Sequence, residues 1–240
     1  MEITFLGTGA AVSPHAYNVA LLIDRRLLVD AGAPLSSHLP RAGVPVSEPR
    51  AVVLSHFHAD HTFGLAWLIL ARVLSDRAAP PLRIIGPLGT RSHVTQLMVL
   101  AWGPEMLETA IQQRQMEVQE VVGGEHFEVE DCIGTAYSMT HTSRFSCLGY
   151  VLEKDGIRLG YSGDAEMSDG LEALLAASNH AVVEMTHDSP GPMHLSRSQV
   201  EELLERHPSV KFILTHLSHE ASLPGAVCAH DFLTLRLPLR

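Results

Sequence analysis

The sequence Ser55-His-Phe-His-Ala-Asp-His61 places four candidate metal ligands within six residues. It follows directly on residues 51–54, a short apolar run typical of a buried strand. In an extended segment the side chains at positions i and i+2 point the same way, so His56 and His58 can bind one metal ion together. A solvated, histidine-rich loop is the alternative, but the adjoining apolar strand favours a metal site.

A predicted helix after the cluster turns its second half, Asp60 and His61, away from its first half. The sequence predicts a loop over 55–61 and a helix over about 62–74. As the chain turns into that helix, Asp60 and His61 point away from the first pair and can bind a second ion. Imidazole together with carboxylate suits Zn²⁺, and also Mn²⁺ or Fe²⁺. We therefore expect two divalent ions, with Zn²⁺ favoured and Mn²⁺ as the alternative.

Strands and helices alternate along the rest of the chain. The predicted strands lie at 2–6, 19–23, 26–30, 51–54, 82–85, within 117–140, and at 150–153, 157–161, 181–185, 212–215 and 231–235, with a turn at 30–32. The predicted helices lie at 35–42, 62–74, 90–101, 104–113, 169–177 and 196–205. Two β-rich halves that each carry helices indicate an α/β protein with two packed sheets flanked by helices. We expect a single domain over residues 1–240.

The pattern His-x-His-x-Asp-His after a buried strand resembles the signature of the metallo-β-lactamase superfamily. That resemblance implies a four-layer αββα sandwich, with the metal site at the sheet edges and the remaining ligands on later loops. Three later residues fit, since His141, Asp164 and His216 each follow a predicted strand. The resemblance then implies a first ion bound by His56, His58 and His141, a second bound by Asp60, His61 and His216, and Asp164 bridging the two.

Motifs spread over nearly the whole chain resemble the ribonuclease Z-like branch of that superfamily, which cleaves phosphodiesters. They are Phe5-Leu-Gly-Thr-Gly-Ala10, Ser162-Gly-Asp164, Glu184-Met-Thr186, His194-Leu-Ser196 and Leu214-Thr-His-Leu-Ser218. In that branch a glutamate pairs with a histidine, and Glu184 and His194 occupy those places, although the residues that flank them differ from the branch's motifs. The resemblance implies that His194 contacts the substrate phosphate or protonates the leaving oxygen.

The mechanism implied by the resemblance uses two metal ions and three catalytic side chains. Two ions lower the pKa of a bridging water toward neutrality and supply hydroxide at pH 7. They also stabilise charge on the attacked centre. Asp60 orients that hydroxide as well as binding metal. His194, held by Glu184, serves as the general acid for an alkoxide leaving group.

The preferred substrate is a small molecule, namely a small or cyclic phosphodiester. Ribonuclease Z enzymes typically carry a tRNA-clamping arm between the third and fourth metal motifs, whereas residues 149–162 predict only a hairpin about Lys154-Asp155-Gly156. The alternatives are a lactone, thioester or sulfate-ester hydrolase, a tRNA 3′ endonuclease, and a non-catalytic ligand-binding protein of the same fold. The last is disfavoured because every expected ligand position is filled.

Charge and composition restrict the expected partners. The net charge is −10, and lysine occurs only at Lys154 and Lys211. Nucleic acid is not expected as a partner, because its binding draws on a basic patch. No apolar run reaches the roughly 18–20 residues that span a bilayer, so no membrane association is expected. A homodimer is left open, because parts of 65–74 and 94–102 can cover an interface.

The expected location is the cytoplasm. The first residues contain no basic, signal-peptide-like segment, and the three cysteines form no CxxC pair. Free thiols in a reducing compartment are the simpler interpretation.

The sequence leaves the roles of four residues near the motif loops open, namely those of His15, Arg144, His187 and His219. The three histidines are expected at the rim or on the surface of the protein. Arg144 is a candidate for binding an anionic substrate, against the alternative of an ordinary surface arginine.

Overall fold

Fourteen strands and six helices form within the part of the chain that the computed structural model describes, residues 1–75 and 80–238. The strands are β1 (Glu2–Gly7), β2 (Ala20–Ile23), β3 (Leu27–Val29), β4 (Ala51–Val53), β5 (Leu82–Pro87), β6 (Met116–Val121), β7 (His126–Val129), β8 (Cys132–Met139), β9 (Cys147–Lys154), β10 (Ile157–Tyr161), β11 (His180–Glu184), β12 (Lys211–Thr215), β13 (Ala226–Cys228) and β14 (Thr234–Arg236). The helices are α1 (Leu35–Arg41), α2 (Ala59–Ser75), α3 (Thr90–Trp102), α4 (Pro104–Gln112), α5 (Asp169–Ala177) and α6 (Arg197–Arg206).

The strands form two mixed sheets with related topology. One sheet has the order β14-β1-β2-β3-β4-β5-β6 and the other the order β13-β12-β11-β10-β9-β8-β7. In the first sheet β1 to β3 pair antiparallel and β3 to β6 pair parallel. In the second, β7 to β10 pair antiparallel and β10 to β13 pair parallel. Because β8, β10 and β12 therefore run in the same direction, the loops that follow them meet at one edge.

Apolar side chains on both faces of the strands hold the layers together. Alternate residues of a strand point to opposite faces. In β2, Leu21 and Ile23 enter the core between the two sheets, whereas Ala20 and Leu22 pack toward α1 to α4. A third core lies between the second sheet and the helices α5 and α6. The result is helix, sheet, sheet, helix, which confirms the four-layer αββα sandwich.

Helix α2 begins at Ala59, three residues earlier than the sequence predicts. The carbonyl of His58 accepts hydrogen bonds from the backbone N–H of His61 and from the hydroxyl of Thr62, which closes the first turn. Asp60 in that turn also interacts favourably with the positive end of the helix dipole. The predicted loop over 55–61 is therefore wrong at its end, and Asp60 and His61 are helical residues.

The C-terminal strands also differ from the prediction. Strand β14 covers Thr234–Arg236 instead of 231–235. The Asp231 carboxylate accepts hydrogen bonds from the backbone N–H and hydroxyl of Thr8 and from the backbone N–H of Tyr17, so Asp231 anchors the loop after β1. Strand β13 escaped prediction because its residues are all half-buried and show no alternation.

Three further observations concern the expectations from composition. The thiols of Cys132, Cys147 and Cys228 are unpaired, as predicted. Burial raises the pKa of the Cys132 thiol to about 11. Within the described ranges, no helix combines the length and the apolarity needed to cross a bilayer.

Candidate metal centre

Three histidines converge beyond the ends of β4 and β8. The Nδ1 atom of His58 lies 3.1 Å from Nε2 of His56 and 3.1 Å from Nε2 of His141. His56 and His141 are buried, whereas His58 is half-buried. This first cluster brings together the residues that the sequence assigned to the first ion.

A second cluster forms where the first turn of α2 meets the end of β12. The Oδ2 atom of Asp60 lies 3.6 Å from Nε2 of His61 and 3.3 Å from Nε2 of His216. All three side chains are buried. Asp60 and His61 face this cluster because the helix begins early enough to include them.

Asp164, after β10, lies between the two clusters and presents one oxygen to each. Its Oδ2 atom lies 3.7 Å from Nε2 of both His56 and His141. Its Oδ1 atom lies 3.2 Å from Nε2 of His61 and 3.4 Å from Nε2 of His216. A single buried carboxylate in this position has the geometry of a bridging ligand.

The donor atoms fit cations. Nε2 of His61 and Oδ1 of Asp164 are buried, and neither has a hydrogen-bond partner among the described residues. Buried polar atoms normally have a hydrogen-bond partner. Two such atoms that face each other without one indicate a site for a bound ion. Groups of this composition, with ligand atoms all within 4.8 Å of one another, can hold metal ions. Imidazole and carboxylate are ligands of Zn²⁺ and related divalent ions.

Protonation in the two clusters follows from burial and charge. Burial lowers the pKa of His56 and His58, which favours the neutral imidazole that a metal requires. Burial opposes ionisation of Asp60 and Asp164, but the neighbouring histidines hold the pKa of both carboxyls below the ordinary value. Burial also lowers the pKa of His61, yet the flanking carboxylates raise it on balance. The negative charge of these carboxylates, which favours a proton on His61, also attracts a metal cation.

Asp30, which the sequence analysis took for a turn residue, holds both clusters in place. Its carboxylate accepts hydrogen bonds from Nδ1 of His61 at 2.7 Å, from the Tyr161 hydroxyl at 2.6 Å, and from the backbone N–H and hydroxyl of Ser55, both at 2.7 Å. The Ser55 hydroxyl in turn accepts from Nδ1 of His56 at 3.0 Å. Asp30 thus occupies Nδ1 of His61 directly and Nδ1 of His56 through Ser55. The Nε2 atom of each ring is left facing the centre.

The backbone around Asp30 is built for this contact. Asp30 has φ +55°, in the left-handed region that aspartate tolerates better than most residues. Gly32 follows, and a Cβ atom there would overlap the carbonyl oxygen of Asp60. The absent side chain therefore lets the turn pack against the start of α2.

We expect Asp30→Asn to weaken metal binding by about 10- to 100-fold, the usual cost of losing a residue that orients a ligand. The amide keeps the shape of the carboxylate but loses the charge and presents an NH₂ group to surrounding donors. Competition with a chelator measures the affinity. Asp24→Asn, at a half-buried carboxylate that pairs with Lys154 and with none of the cluster residues, serves as the matched control. Equal affinity of Asp30→Asn and wild type would refute the assigned role.

The other two Nε2 ligands are oriented by the chain segments around β11 and α6. Nδ1 of His141 donates to the carbonyl of Met193 at 2.6 Å. Nδ1 of His216 donates to the Thr186 hydroxyl at 2.7 Å, which donates to Oε2 of Glu184 at 2.5 Å. With Nδ1 occupied, the free lone pair of each ring lies on Nε2, toward the clusters.

His194 and Glu184 form a pair beside the two clusters. Nδ1 of His194 donates to Oε1 of Glu184 at 2.9 Å, and the same oxygen accepts from the backbone N–H of Ala165. Nδ1 also lies 3.8 Å from Oδ2 of Asp164. Burial of the ring lowers the pKa of His194, but the bond to Glu184 and its charge raise it on balance. Nε2 of His194 makes no hydrogen bond within the described residues.

The four residues without an assigned role lie around this centre. The His187 ring lies edge-on to His194, with ring centroids 5.4 Å apart. His219 is exposed and lies 3.3 Å from an Asp188 oxygen. His15 and His219 both line a cavity of about 280 Å³ next to Leu217. Arg144 is exposed on the loop after His141.

Similar proteins share this fold. The short form of human tRNase Z superposes with a TM-score of 0.80, 22% identity and 100% of both chains covered. Zn²⁺-bound PqqB from Methylobacterium extorquens gives a TM-score of 0.72 and 16% identity, covering 99% of this chain and 100% of the other. A ribonuclease Z from Mycobacterium bovis (strain BCG / Pasteur 1173P2) is 26% identical over 223 residues, which cover 88% of this chain and 79% of that protein.

Fold, site and relatives together define a hydrolase of the metallo-β-lactamase fold, in its ribonuclease Z-like branch. Within that class, the model of a family described as Anti-Pycsar protein Apyc1 matches residues 1–225. The chain belongs to this family. The names of the ribonuclease Z relatives give no support to the expectation that nucleic acid is not a partner.

Proposed function

We propose that this protein hydrolyses a small or cyclic phosphodiester at a centre of two divalent metal ions. The observation that carries the proposal is the bridging position of Asp164 between two ligand clusters, with the His194–Glu184 pair beside it. The first ion would be held by His56, His58 and His141, and the second by Asp60, His61 and His216. When bound, such a pair of ions supplies a nucleophilic water of lowered pKa and stabilises charge on the phosphoryl oxygens.

The donor set supports a choice of ions. Imidazole and carboxylate favour Zn²⁺ and also accept Mn²⁺. The Zn²⁺-bound state of PqqB, which shares the fold, supports Zn²⁺ as the first choice.

The protein's own side chains then have three tasks. Asp60 orients the attacking water as well as binding metal. His194 donates a proton from Nε2 to the leaving oxygen while its Nδ1 stays bonded to Glu184. Glu184 fixes the ring and stabilises its charged form, since its own oxygens are held by Ala165 and Thr186.

The preference for a small substrate rests on the hairpin between β9 and β10. The strands pair up to Lys154 and Ile157, so only Asp155 and Gly156 form the turn. An arm for clamping tRNA has no place in this hairpin. The net charge of −10 also disfavours a polyanionic substrate. Cleavage of precursor tRNA is the second candidate, because a ribonuclease Z is among the relatives.

A substrate comparison tests the proposal. Protein loaded with Zn²⁺ or Mn²⁺ would be assayed with 3′,5′-cyclic nucleotides, bis(p-nitrophenyl) phosphate, precursor tRNA, a lactone and a thioester. We expect the small phosphodiesters to give the highest kcat/KM, and Asp164→Asn to abolish that activity. Efficient cleavage of precursor tRNA would replace the small substrate with tRNA. Turnover confined to the lactone or thioester would overturn the phosphodiesterase assignment.

A further inference from the structure

The segment after β10 contacts the metal centre through three consecutive residues. Asp164 lies between the two ligand clusters. The backbone N–H of Ala165 donates to Oε1 of Glu184 at 2.9 Å, the oxygen that also accepts from His194. Glu166, the third residue, is half-buried and has no part in the mechanism proposed above. The contacts of Glu166 are therefore the ones that this segment leaves unexplained.

Glu166 is tied to the chain on two sides of the ligand His141. Its backbone N–H donates to the carbonyl of Thr140, directly before that ligand, at 2.7 Å. Its carboxylate oxygen Oε1 accepts from the backbone N–H of Met193 at 2.6 Å. The carbonyl of Met193 in turn accepts from Nδ1 of His141 at 2.6 Å. One residue thus connects the backbone before His141 to the group that orients the His141 ring.

The backbone of Met193 needs such support. Its φ is +72°, in the left-handed region that residues other than glycine rarely adopt. A backbone of this kind costs free energy and persists only where the surroundings hold it. Within the described residues, the Met193 backbone makes two hydrogen bonds, one to Glu166 and one to His141. Glu166 therefore holds Met193 in the conformation in which its carbonyl reaches His141.

The same contact bears on His194, which directly follows Met193 in the chain. The His194 ring is held at one end by the bond from Nδ1 to Glu184. Its backbone starts at the residue that Glu166 fixes. The ring centroids of His141 and His194 lie 5.0 Å apart. A change at Met193 would therefore move a ligand of the first ion and the neighbouring histidine together.

We infer that Glu166 is a positioning residue that acts through Met193 on two side chains, the ligand His141 and the proton donor His194. The part that concerns proton donation rests on the proposed function. Glu166 acts through the backbone and contacts neither the ions nor the reacting atoms. Residues that orient metal ligands typically change metal affinity or activity by about 10- to 100-fold.

The first test compares Glu166→Ala with Glu166→Gln in metal-free protein. Glutamine keeps an oxygen for the N–H of Met193, whereas alanine offers none. The Nδ1–H signals of His141 and His194 in ¹H–¹⁵N spectra report their bonds to Met193 and Glu184, because a ring N–H without a partner exchanges rapidly with water. We expect both signals in wild type and in Glu166→Gln, and both broadened or lost in Glu166→Ala.

Metal affinity gives a second readout. In competition with a chelator, Glu166→Ala should bind the first ion about 10- to 100-fold more weakly than wild type, and Glu166→Gln nearly as tightly as wild type. Glu205→Ala, the same change on an exposed side chain of α6, is the matched control. A role limited to the stability of the fold would lower Tm but leave the ring signals and the affinity of folded Glu166→Ala unchanged. That result would overturn the inference.

The leaving group tests the effect on His194 during turnover. Glu166→Ala should lose more activity with alkoxide than with p-nitrophenolate leaving groups, as His194→Ala does but to a smaller extent, and Glu166→Gln should restore most of it. Equal loss with every leaving group would refute the effect on His194. If wild type hydrolyses no phosphodiester, the proposed function fails, and the two ring signals and the metal affinity decide the inference by themselves.

Discussion

Asp164→Asn is expected to lower phosphodiester turnover by about 10³-fold or more, because bound ions contribute several kcal/mol and each 1.36 kcal/mol is tenfold in rate. Asp164 is the carboxylate that the two clusters share, with one oxygen within 3.7 Å of the first and the other within 3.4 Å of the second. The amide offers one neutral oxygen in place of two charged ones, so both sites weaken together. Elemental analysis of metal per chain and steady-state kinetics measure the two effects.

A matched variant keeps this result interpretable. Asp131→Asn makes the same change on a side chain that is 68% exposed and pairs with Lys154 instead of a cluster residue. It should keep the metal content and turnover of wild type. Circular dichroism checks that Asp164→Asn remains folded. Wild-type metal content and turnover in a folded Asp164→Asn would rule out the bridging role.

His194→Ala is expected to reduce turnover of phosphodiesters with alkoxide leaving groups by about 10²- to 10⁴-fold, the usual contribution of a general acid. The hydrogen bond from Nδ1 to Glu184 leaves Nε2 to donate the proton. A leaving group such as p-nitrophenolate departs without a proton, so its loss should be much smaller. The measurement is kcat for a series of diesters whose leaving groups differ in pKa.

The control for this series is His187→Ala. The ring of His187 contacts that of His194 but makes no hydrogen bond to Glu184 within the described residues. It should change turnover little and show the same dependence on leaving group as wild type. If His194→Ala lost equal activity with every leaving group, His194 would bind the phosphate or hold the site together instead of donating a proton.

The candidate metal ligands could be predicted from the sequence for a physical reason. His56 to His61 are neighbours in the chain, and His141, Asp164 and His216 each follow a strand, so the fold implied by the resemblance brings them to one edge. The structure places all of them in the two clusters. It also places His194 on Glu184, although the motif residues around both differ from the expected pattern.

The residues that orient these side chains could not be predicted from the sequence in this way. Asp30 meets Ser55, His61 and Tyr161, which are 25, 31 and 131 residues away, so no local pattern marks it. Its one local signal is its place at the end of an apolar strand before Ala31 and Gly32, which also predicts an ordinary turn.

The most direct measurement is phosphodiester turnover as a function of metal added to chelator-treated protein. We expect little activity up to one ion per chain and a plateau at two, because the two clusters share Asp164 and act on one substrate. Zn²⁺ and Mn²⁺ should give the same stoichiometry. A plateau at one ion per chain, or turnover that persists without metal, would contradict the two-ion centre.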